Sequence, residues 1–383
     1  MSYFKLNIYS LLILICLASC SSTYKTLNEK VDQVYIKKLE VSLNTKKLAQ
    51  QINIFYFDNE SKDLIEGISS NYYYYKRYAQ YKPQLNFINL SNKNHDCLNL
   101  QKRKSFSITF MGLNNALDIK SNCLSLIKSS KSLVINLSGK SISQIKSSKI
   151  LNISRDQDLQ KILLHAKQRG GRRALVIDDL TTEDSKKITD LWTGLGGAVV
   201  ARKSSLLSSQ NQDLISKILS IEKSSTRNRK ISRIIGIKTE HQPRKRTDVD
   251  SVILSTTLET ARSLQPALDY NFANLLSVYL IPSWTEQENL STRELDLERI
   301  TIIDTPLMLN QAIRPLGLVG VKRSRKFSVG YDAYELALLL STSNNFSYRG
   351  MSGLITKEGS SFKRESYITI FNKGRLEPLD NFN

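Results

Sequence analysis

From about residue 51 onward, short apolar runs alternate with longer stretches in which apolar side chains recur every three or four residues. The short runs are typical of buried strands, and the longer stretches predict amphipathic helices packed on them. The first unit is a strand at 52–57, a helix at 61–79 and a strand at 85–90, followed by strands near 106–111 and 132–137. Strands that alternate with helices predict an α/β fold with mainly parallel sheets.

The segment from 154 to 222 adds start and stop signals to this pattern. SRDQ at 154–157 resembles a capping box, and Gly170 with Gly171 would end the helix that it starts. The elements predicted next are a strand at 172–178, a helix at 182–195, a strand at 198–201 and a helix at about 211–222.

The last third of the chain continues the alternation and ends differently. A strand at 249–254 precedes a second capping box, TTLE at 256–259, whose helix Pro266 should kink or shorten. The further predictions are strands at 277–281 and 300–304, a helix opening at 330 and running to 340, and a closing hairpin of 352–357 with 362–371, turning at 358–360.

The N-terminus indicates export. Lys5 precedes the apolar run 11–17, which is too short to span a bilayer and fits the core of a signal peptide. LASC at 17–20 resembles the lipobox of bacterial lipoproteins, which implies cleavage after residue 19 and lipidation of Cys20; an ordinary signal peptide with an incidental cysteine is the alternative. By the sorting rule of those lipoproteins, Ser21 in place of Asp favours the outer membrane, with the protein facing the periplasm.

The chain is strongly basic, with a formal net charge of +20 that falls to about +19 once Lys5 is removed. Export disfavours nucleic acid as a partner, because an exported protein has no chromosome to bind. The charge then favours other anionic partners such as peptidoglycan peptides, lipid headgroups or acidic protein faces. The basic run of Arg244, Lys245 and Arg246 is the candidate partner-binding site, and a solvated loop is its alternative. Asp248 and Asp250 are expected to balance these charges or to cap the strand edge.

The sequence contains little that indicates a catalytic, metal or cofactor site. No GxSxG or GxxxxGK[ST] motif occurs, and Asp178 with Asp179 is expected to cap the next helix more readily than to line a cleft. The three histidines are scattered, so no catalytic residue, metal ligand or cofactor site is assigned. Cys97 and Cys123 could form a disulfide in an oxidising compartment, or remain as free buried thiols.

Six stretches in order carry a resemblance to the C-terminal domain of the LpoA/YraM (LppC) lipoproteins. They are RRALVIDD at 172–179, LWTGLGGAVVA at 191–201, PRKRTDVDSVIL at 243–254, ARSLQPAL at 261–268, GYDAYELA at 330–337 and MSGLITKEGSSFKRE at 351–365. The resemblance implies a two-lobed fold like that of type I periplasmic binding proteins. It also implies a non-enzymatic role, in which the lipoprotein binds a class A penicillin-binding protein and activates its peptidoglycan synthesis.

The expected organisation follows from the lipobox and the resemblance. Residues 1–19 form the signal peptide and 20–50 a lipidated tether, which stands where longer family members carry a helical-repeat domain. Lobe 1 is expected at 51–153 with about 282–350, and lobe 2 at 154–281 with about 351–376.

A lipid-anchored solute receptor is the alternative function. Such receptors bind a ligand carboxylate with hydroxyls and backbone N–H groups after the first strand. The corresponding loop at 57–61 contains Asp58 and Glu60, which would repel a carboxylate. This loop therefore favours the regulator, although it leaves room for a cationic or neutral ligand.

Overall fold

The computed structural model of the chain gives an α/β fold built on two parallel-stranded sheets, with a small antiparallel sheet beside them. It describes residues 48–57, 62–91, 105–111, 123, 127–128, 131–137, 150–153, 155–178, 185–204, 210–282, 293–309, 324–359 and 361–379. The predicted fold class, α/β with mainly parallel sheets, is confirmed.

The first sheet has five strands in the order β2-β1-β3-β4-β5, and every neighbouring pair is parallel. Its strands are β1 (Gln51–Tyr56), β2 (Gln84–Asn89), β3 (Ser105–Met111), β4 (Ser132–Asn136) and β5 (Ile150–Asn152). Helices α1 (Lys62–Tyr78) and α7 (Arg325–Thr342) share its hydrophobic core. The central strands are buried on both faces, as is typical of parallel sheets, which is why they are rich in apolar residues in the sequence.

The second sheet has seven strands in the order β15-β14-β10-β9-β8-β6-β7. Strands β6 to β10 run parallel, whereas β14 and β15 are added antiparallel. The strands are β6 (Arg173–Asp178), β7 (Ala198–Ser204), β8 (Ser251–Ser255), β9 (Ser277–Leu280), β10 (Ile300–Asp304), β14 (Tyr367–Asn372) and β15 (Arg375–Pro378). The helices of this part are α2 (Arg155–Gln168), α3 (Ser185–Gly194), α4 (Asn211–Ile218), α5 (Ile221–Ile235) and α6 (Leu258–Tyr270), with a 3-10 turn at Leu295–Leu297.

The third sheet is an antiparallel meander of β11 (Phe346–Arg349), β12 (Leu354–Glu358) and β13 (Ser361–Glu365). The predicted turn at 358–360 is confirmed by the pairing of Glu358 with Ser361. The predicted single strand at 362–371 is wrong, because the chain changes sheets at Ser366 and continues as β14.

Three helix predictions also need correction. The helix expected from Gly330 begins at Arg325, where the Ser324 hydroxyl caps it by accepting from the Phe327 N–H. The helix expected at 211–222 is two helices, since Ser220 adopts a left-handed φ of 60° between α4 and α5. Pro266 neither ends nor shortens α6, whose cap is Thr257 rather than Thr256.

Buried side chains form a core on each face of the five-stranded sheet and a core on each face of the seven-stranded sheet. We call residues 48–153 with 324–365 the first half, and 155–309 with 367–379 the second half. Strand β10 pairs with β9 and β14 in the second half. The predicted division into lobes, with its boundary near 282, stays a prediction.

Helices α1 and α7 touch backbone to backbone at two glycines. A Cβ atom on Gly330 would lie 2.1 Å from the Leu64 carbonyl oxygen, and one on Gly67 would lie 2.2 Å from the Phe327 carbonyl oxygen. The buried Asn71 side chain donates across the same contact to the Tyr331 carbonyl at 2.7 Å. Only glycine allows this approach, so the pair fixes how the C-terminal helix packs on the first one.

Candidate partner-binding edge of the second sheet

The predicted basic site lies at the edge of the seven-stranded sheet where its parallel strands begin. Strands β6, β8, β9 and β10 all start at this edge, and β14, which runs antiparallel to β10, ends there. The segments that precede β8, β9 and β10, together with the turn after β14, therefore share one surface. We call it the starting edge.

Arg246 has a structural role, because its side chain and its backbone are both hydrogen-bonded within the fold. Its guanidinium donates to both carboxylate oxygens of Asp248 at 2.6 Å, and its backbone N–H donates to the Leu219 carbonyl at 2.9 Å. The hydrogen bond from Arg246 lowers the pKa of Asp248 below its ordinary value. Asp248 thus balances the basic run, as the sequence predicted, and Arg246 joins the end of α4 to the approach of β8.

Arg244 and Lys245 are the members of the basic run with side chains at the surface. Arg244 is exposed and Lys245 is half-buried. The Arg244 backbone N–H donates to the Ser224 hydroxyl on α5 at 3.1 Å, which fixes the loop. Within the part of the chain that the structure describes, neither side chain has an ion-pair or hydrogen-bond partner, so the partner-binding prediction depends on these two residues.

Asp250 acts at the strand edge, as the sequence predicted. Its Oδ1 accepts the backbone N–H groups of Arg172 and Arg173, each at 3.0 Å, and so joins the starts of β6 and β8. Burial raises the pKa of this carboxyl, but the two backbone hydrogen bonds, the Ser251 hydroxyl and the Arg173 charge outweigh burial and hold the pKa below its ordinary value.

Replacing Asp250 with Asn should lower the free energy of unfolding at pH 7 by about 1–2 kcal/mol, because a charged acceptor for two N–H groups is lost. A carboxyl whose pKa is lowered in the folded state stabilises the fold above its unfolded pKa, about 3.9, and ceases to do so as the pH falls through the folded value. The difference between wild type and variant should therefore shrink below about pH 4. Urea denaturation from pH 7 to pH 3 measures it, with the exposed Asp213→Asn as control; a difference that does not change with pH would contradict the assignment.

An exposed apolar cluster, missed in the sequence, lies farther along the same edge. Its members are Tyr270, Phe272, Leu275 and Leu295, of which Leu275 is 87% and Tyr270 70% exposed. We call these four residues the apolar edge patch. Large apolar side chains grouped at a surface mark an interaction site, and tyrosine is enriched among residues that dominate interface energies. The sequence does contain a signal for this patch, since the stretch DYNFANLL at 269–276 has aromatic residues where a loop usually has polar ones.

The backbone around the apolar edge patch is strained and held in place. Phe272, Arg299 and Lys373 have φ values of 61°, 67° and 51°, which side chains other than glycine rarely adopt. The Arg299 guanidinium pairs with Asp269 and donates to the Asn274 carbonyl at 2.8 Å. The Glu298 carboxylate accepts the N–H groups of Lys373 and Gly374 at 3.0 and 2.9 Å. Such strain persists where surrounding contacts enforce it, commonly at functional sites.

Two buried ion pairs tie the halves together. The chain passes between the halves after β5, after β10 and after β13. Arg364 on β13 donates from Nη2 to both oxygens of Asp158 on α2, at 2.8 and 2.9 Å, and its side chain is 0% exposed. Arg325 at the start of α7 makes the same paired contact with Asp304 at the end of β10, at 2.9 and 2.6 Å. These pairs lie at the three crossings and link elements of opposite halves.

Two of the resembling stretches meet at Asp332. Its buried carboxylate accepts the backbone N–H groups of Met351 and Ser352 at 2.8 and 2.7 Å, and the hydroxyls of Ser352 and Tyr348. A Cβ atom on Gly350 would lie 2.2 Å from Asp332 Oδ2. The GYDA and GMSG sequences are therefore two sides of one contact between α7 and the third sheet.

Other predictions lie partly or wholly outside the described residues. Cys20, Cys97, Asp179 and the loop residues 58–61 are among them. Cys123 is 2% exposed and disulfide-bonded; Cys97 as its partner stays a prediction. Asp178 does not cap a described helix, because its Oδ2 accepts from Arg202 Nε on β7 at 2.9 Å. No described helix is long and apolar enough to cross a bilayer.

The fold is that of the periplasmic binding proteins, as the resemblance implied. A "putative branched-chain amino acid ABC transporter" from Rhodospirillum rubrum superimposes with a TM-score of 0.58 at 11% identity, over 87% of this chain and 100% of that one. The C-domain of LpoA (YraM) from Haemophilus influenzae, described as a regulator of PBP1A, superimposes with a TM-score of 0.54 at 11% identity, over 86% and 100%. At these identities the likeness shows the fold alone.

The family follows from the sequence itself. The model of the family described as "LppC putative lipoprotein" matches residues 114–354, more than half of the chain, so the chain belongs to the LppC family. Full-length LpoA from H. influenzae superimposes with a TM-score of 0.53 at 12% identity, over 87% of this chain, and the chain spans 59% of its length. A search of the curated proteins finds no match.

Proposed function

We propose that this protein is an outer-membrane lipoprotein, facing the periplasm, that binds a class A penicillin-binding protein and activates its peptidoglycan synthesis. The observation that carries the proposal is membership of the LppC family over residues 114–354. A structural neighbour of the same fold, the LpoA C-domain of H. influenzae, is described as a regulator of PBP1A. The role is regulatory and needs neither a catalytic residue nor a cofactor.

The anchor in this proposal is a lipid on Cys20. The LASC sequence supports it, and acyl chains on one residue would hold the protein durably at a membrane, since each buried CH₂ contributes ~0.8 kcal/mol. Peptidoglycan is a second candidate partner, because its acidic peptides suit a chain of net charge +20.

The starting edge is the docking surface that we assign to the synthase. The apolar edge patch supplies large side chains that would be buried at the centre of an interface, where most binding energy arises. Arg244 and Lys245 supply the charges at its rim, which steer an acidic partner and raise its association rate. The parallel strands hold both groups on one rigid support.

A solute receptor is the second candidate, favoured by the likeness to the R. rubrum protein. Periplasmic binding proteins hold their ligands by closing two lobes about a hinge. In this chain the buried pairs Arg364–Asp158 and Arg325–Asp304 join the halves at the crossings where such a hinge would bend. Opening would expose or separate these charges, which supports a fixed scaffold over a closing receptor.

The chain from Ser21 onward should capture a class A penicillin-binding protein of the same cell and raise the crosslinked fraction of its product. Tyr270→Ser with Leu275→Ser should weaken capture about 30-fold, since central interface residues contribute ~2 kcal/mol or more. Arg244→Ser with Lys245→Ser should slow association several-fold and reduce its salt dependence. Arg246 stays unchanged, because its loss would disturb the fold as well as the surface.

Lys62→Ser with Lys186→Ser is the matched control, as both lysines are exposed on helices α1 and α3. Equal capture by all variants would show that the starting edge is not part of the interface, and it would leave the proposed regulatory role unaffected. The regulator proposal would be contradicted if the chain captured no synthase. If a branched-chain amino acid also stabilised the chain in a thermal melt, the solute receptor would be the favoured function.

A further inference from the structure

Helix α5 and the chain that returns from it form a hairpin at the starting edge with an unusual end. The twelve residues from 227 to 238, RNRKISRIIGIK, contain five Lys or Arg residues, four isoleucines and no acid. We call residues 227–238 the isoleucine tip. It is inserted between α4 and β8. The sequence pattern did not predict it, because the helix expected in this region ended at about residue 222.

The hairpin is held together by polar side chains rather than by apolar ones. Thr239 on the returning segment donates to the Asn228 amide oxygen at 2.8 Å and is 2.6 Å from the Ser232 hydroxyl. Ser224 contacts His241 at 3.3 Å. Gly236, with a φ of 72°, ends the helix and turns the chain back. The inner side of the hairpin is thus hydrogen-bonded, and its isoleucines are not needed to hold it.

The isoleucines of the tip point into solvent. Ile234 is 85% exposed, Ile237 65%, Ile235 54% and Ile231 41%. Residues 231, 234 and 235 have the i, i+3, i+4 spacing that puts side chains on one face of a helix. Four neighbouring aliphatic side chains at this exposure would be unfavourable in water if nothing covered them.

We propose that the isoleucine tip docks on an anionic phospholipid surface, with the isoleucines inserted among the acyl chains and the Lys and Arg side chains at the headgroups. The charge is complementary, since the tip carries five cations and no acid. Lys and Arg can lay their aliphatic stems along the apolar layer while their charged ends reach the headgroups. An amphipathic helix with apolar residues on one side and Lys or Arg around them is the usual form of such a contact.

The composition favours lipid over a protein partner at this end of the hairpin. Residues 227–238 include no aromatic residue, whereas protein interfaces draw much of their binding energy from tryptophan and tyrosine seated in shaped pockets. The isoleucines stand out separately from a single helix end and its turn, which suits a fluid acyl layer that adapts to them. The inference is independent of the proposed function and uses residues other than those assigned to the synthase.

The experiment is vesicle cosedimentation with the chain from Ser21 onward, which contains every described residue and no lipid anchor. Vesicles of phosphatidylethanolamine with one third phosphatidylglycerol are compared with vesicles of phosphatidylcholine. Binding is expected for the anionic vesicles only and should fall as salt is raised from 50 to 300 mM. Lys230→Gln, Arg233→Gln and Lys238→Gln together should weaken it about 100-fold, since each cation near such a surface contributes roughly fivefold.

Ile234→Ser, Ile235→Ser and Ile237→Ser together should weaken vesicle binding by at least tenfold. Leu275→Ser with Leu295→Ser is the matched control, because those side chains are 87% and 56% exposed but belong to the apolar edge patch and not to the isoleucine tip, and it should bind as wild type does. All replaced side chains are exposed, so each variant should keep the wild-type unfolding curve. Equal binding to both vesicle types, or unchanged binding by the isoleucine variant, would overturn the proposal. Absence of binding to the anionic vesicles would overturn it as well, and loss of synthase capture by the isoleucine variant in that case would assign the tip to a protein.

Discussion

Replacing Arg364 with Met should lower the free energy of unfolding by about 3–5 kcal/mol, because it leaves the carboxylate of Asp158 buried without its cation. The Arg364 side chain is 0% exposed and that of Asp158 is 5% exposed, so water cannot replace the lost contacts. The Ser352 carbonyl and the Ser366 hydroxyl would lose their donor as well. A loss of this size is a large part of the 5–15 kcal/mol that is typical of a folded domain. Urea denaturation followed by circular dichroism measures it.

The neighbouring residue offers a matched control. Lys363 on the same strand points to solvent, with its side chain 68% exposed and paired, among the residues that the structure describes, with Glu365. Lys363→Met should therefore change stability by less than about 1 kcal/mol. The double variant Arg364→Met with Asp158→Leu should recover much of the loss, since two apolar groups can replace a buried ion pair. Equal losses in the Lys363 and Arg364 variants would show that the pair does not hold the halves together.

The second large effect is expected at Asp332. Asp332→Ala removes the acceptor of two backbone N–H groups and two hydroxyls, all at buried positions. Each unsatisfied buried donor costs about 1–3 kcal/mol, and partial relaxation of the turn should leave a net loss of about 3–5 kcal/mol. The loss is measured by the same denaturation experiment.

Asp332→Asn tests the contribution of the carboxylate charge separately from that of the side-chain shape. The amide keeps the volume and one acceptor oxygen, but its NH₂ group would face the Ser352 donors that now point at Oδ2. Its stability should therefore lie between those of the wild type and the alanine variant. An asparagine variant as stable as wild type would mean that the donors find other acceptors and that the GYDA sequence serves another purpose.

The sequence predicted most of the strands because parallel strands are buried on both faces and are therefore rich in apolar residues. The runs at 52–57, 172–178 and 249–254 all correspond to strands of the two large sheets. Helix α5 could not be predicted in this way, since its inner side is formed by Ser224, Asn228 and Ser232 and carries no apolar stripe. The start of α7 was missed because glycine at 330 looked like a boundary. Glycine stands at this position because α7 packs closely on α1, which lies more than 250 residues earlier in the sequence.

The candidate site was predictable only where its contacts are local. The charges of Arg246 and Asp248 lie two residues apart, so their pairing could be expected from the sequence. The contact of Arg246 with α4 and that of Asp250 with the start of β6 depend on the order of strands in the sheet. The apolar edge patch depends on two segments, residues 270–275 and the 3-10 turn that begins at Leu295, meeting at one edge, which a one-dimensional pattern does not contain.

The contact between α1 and α7 also bears on how the protein is made. Helix α1 ends at residue 78 and its glycine-matched partner spans residues 325–342, so the first half of the fold stays incomplete until most of the chain has been synthesised. The second half, whose strands from β6 to β10 are contiguous in sequence, can assemble sooner. The N-terminal strands would thus be the first to be synthesised and among the last to be covered, and a chain truncated before residue 325 would leave them exposed to chaperones and proteases.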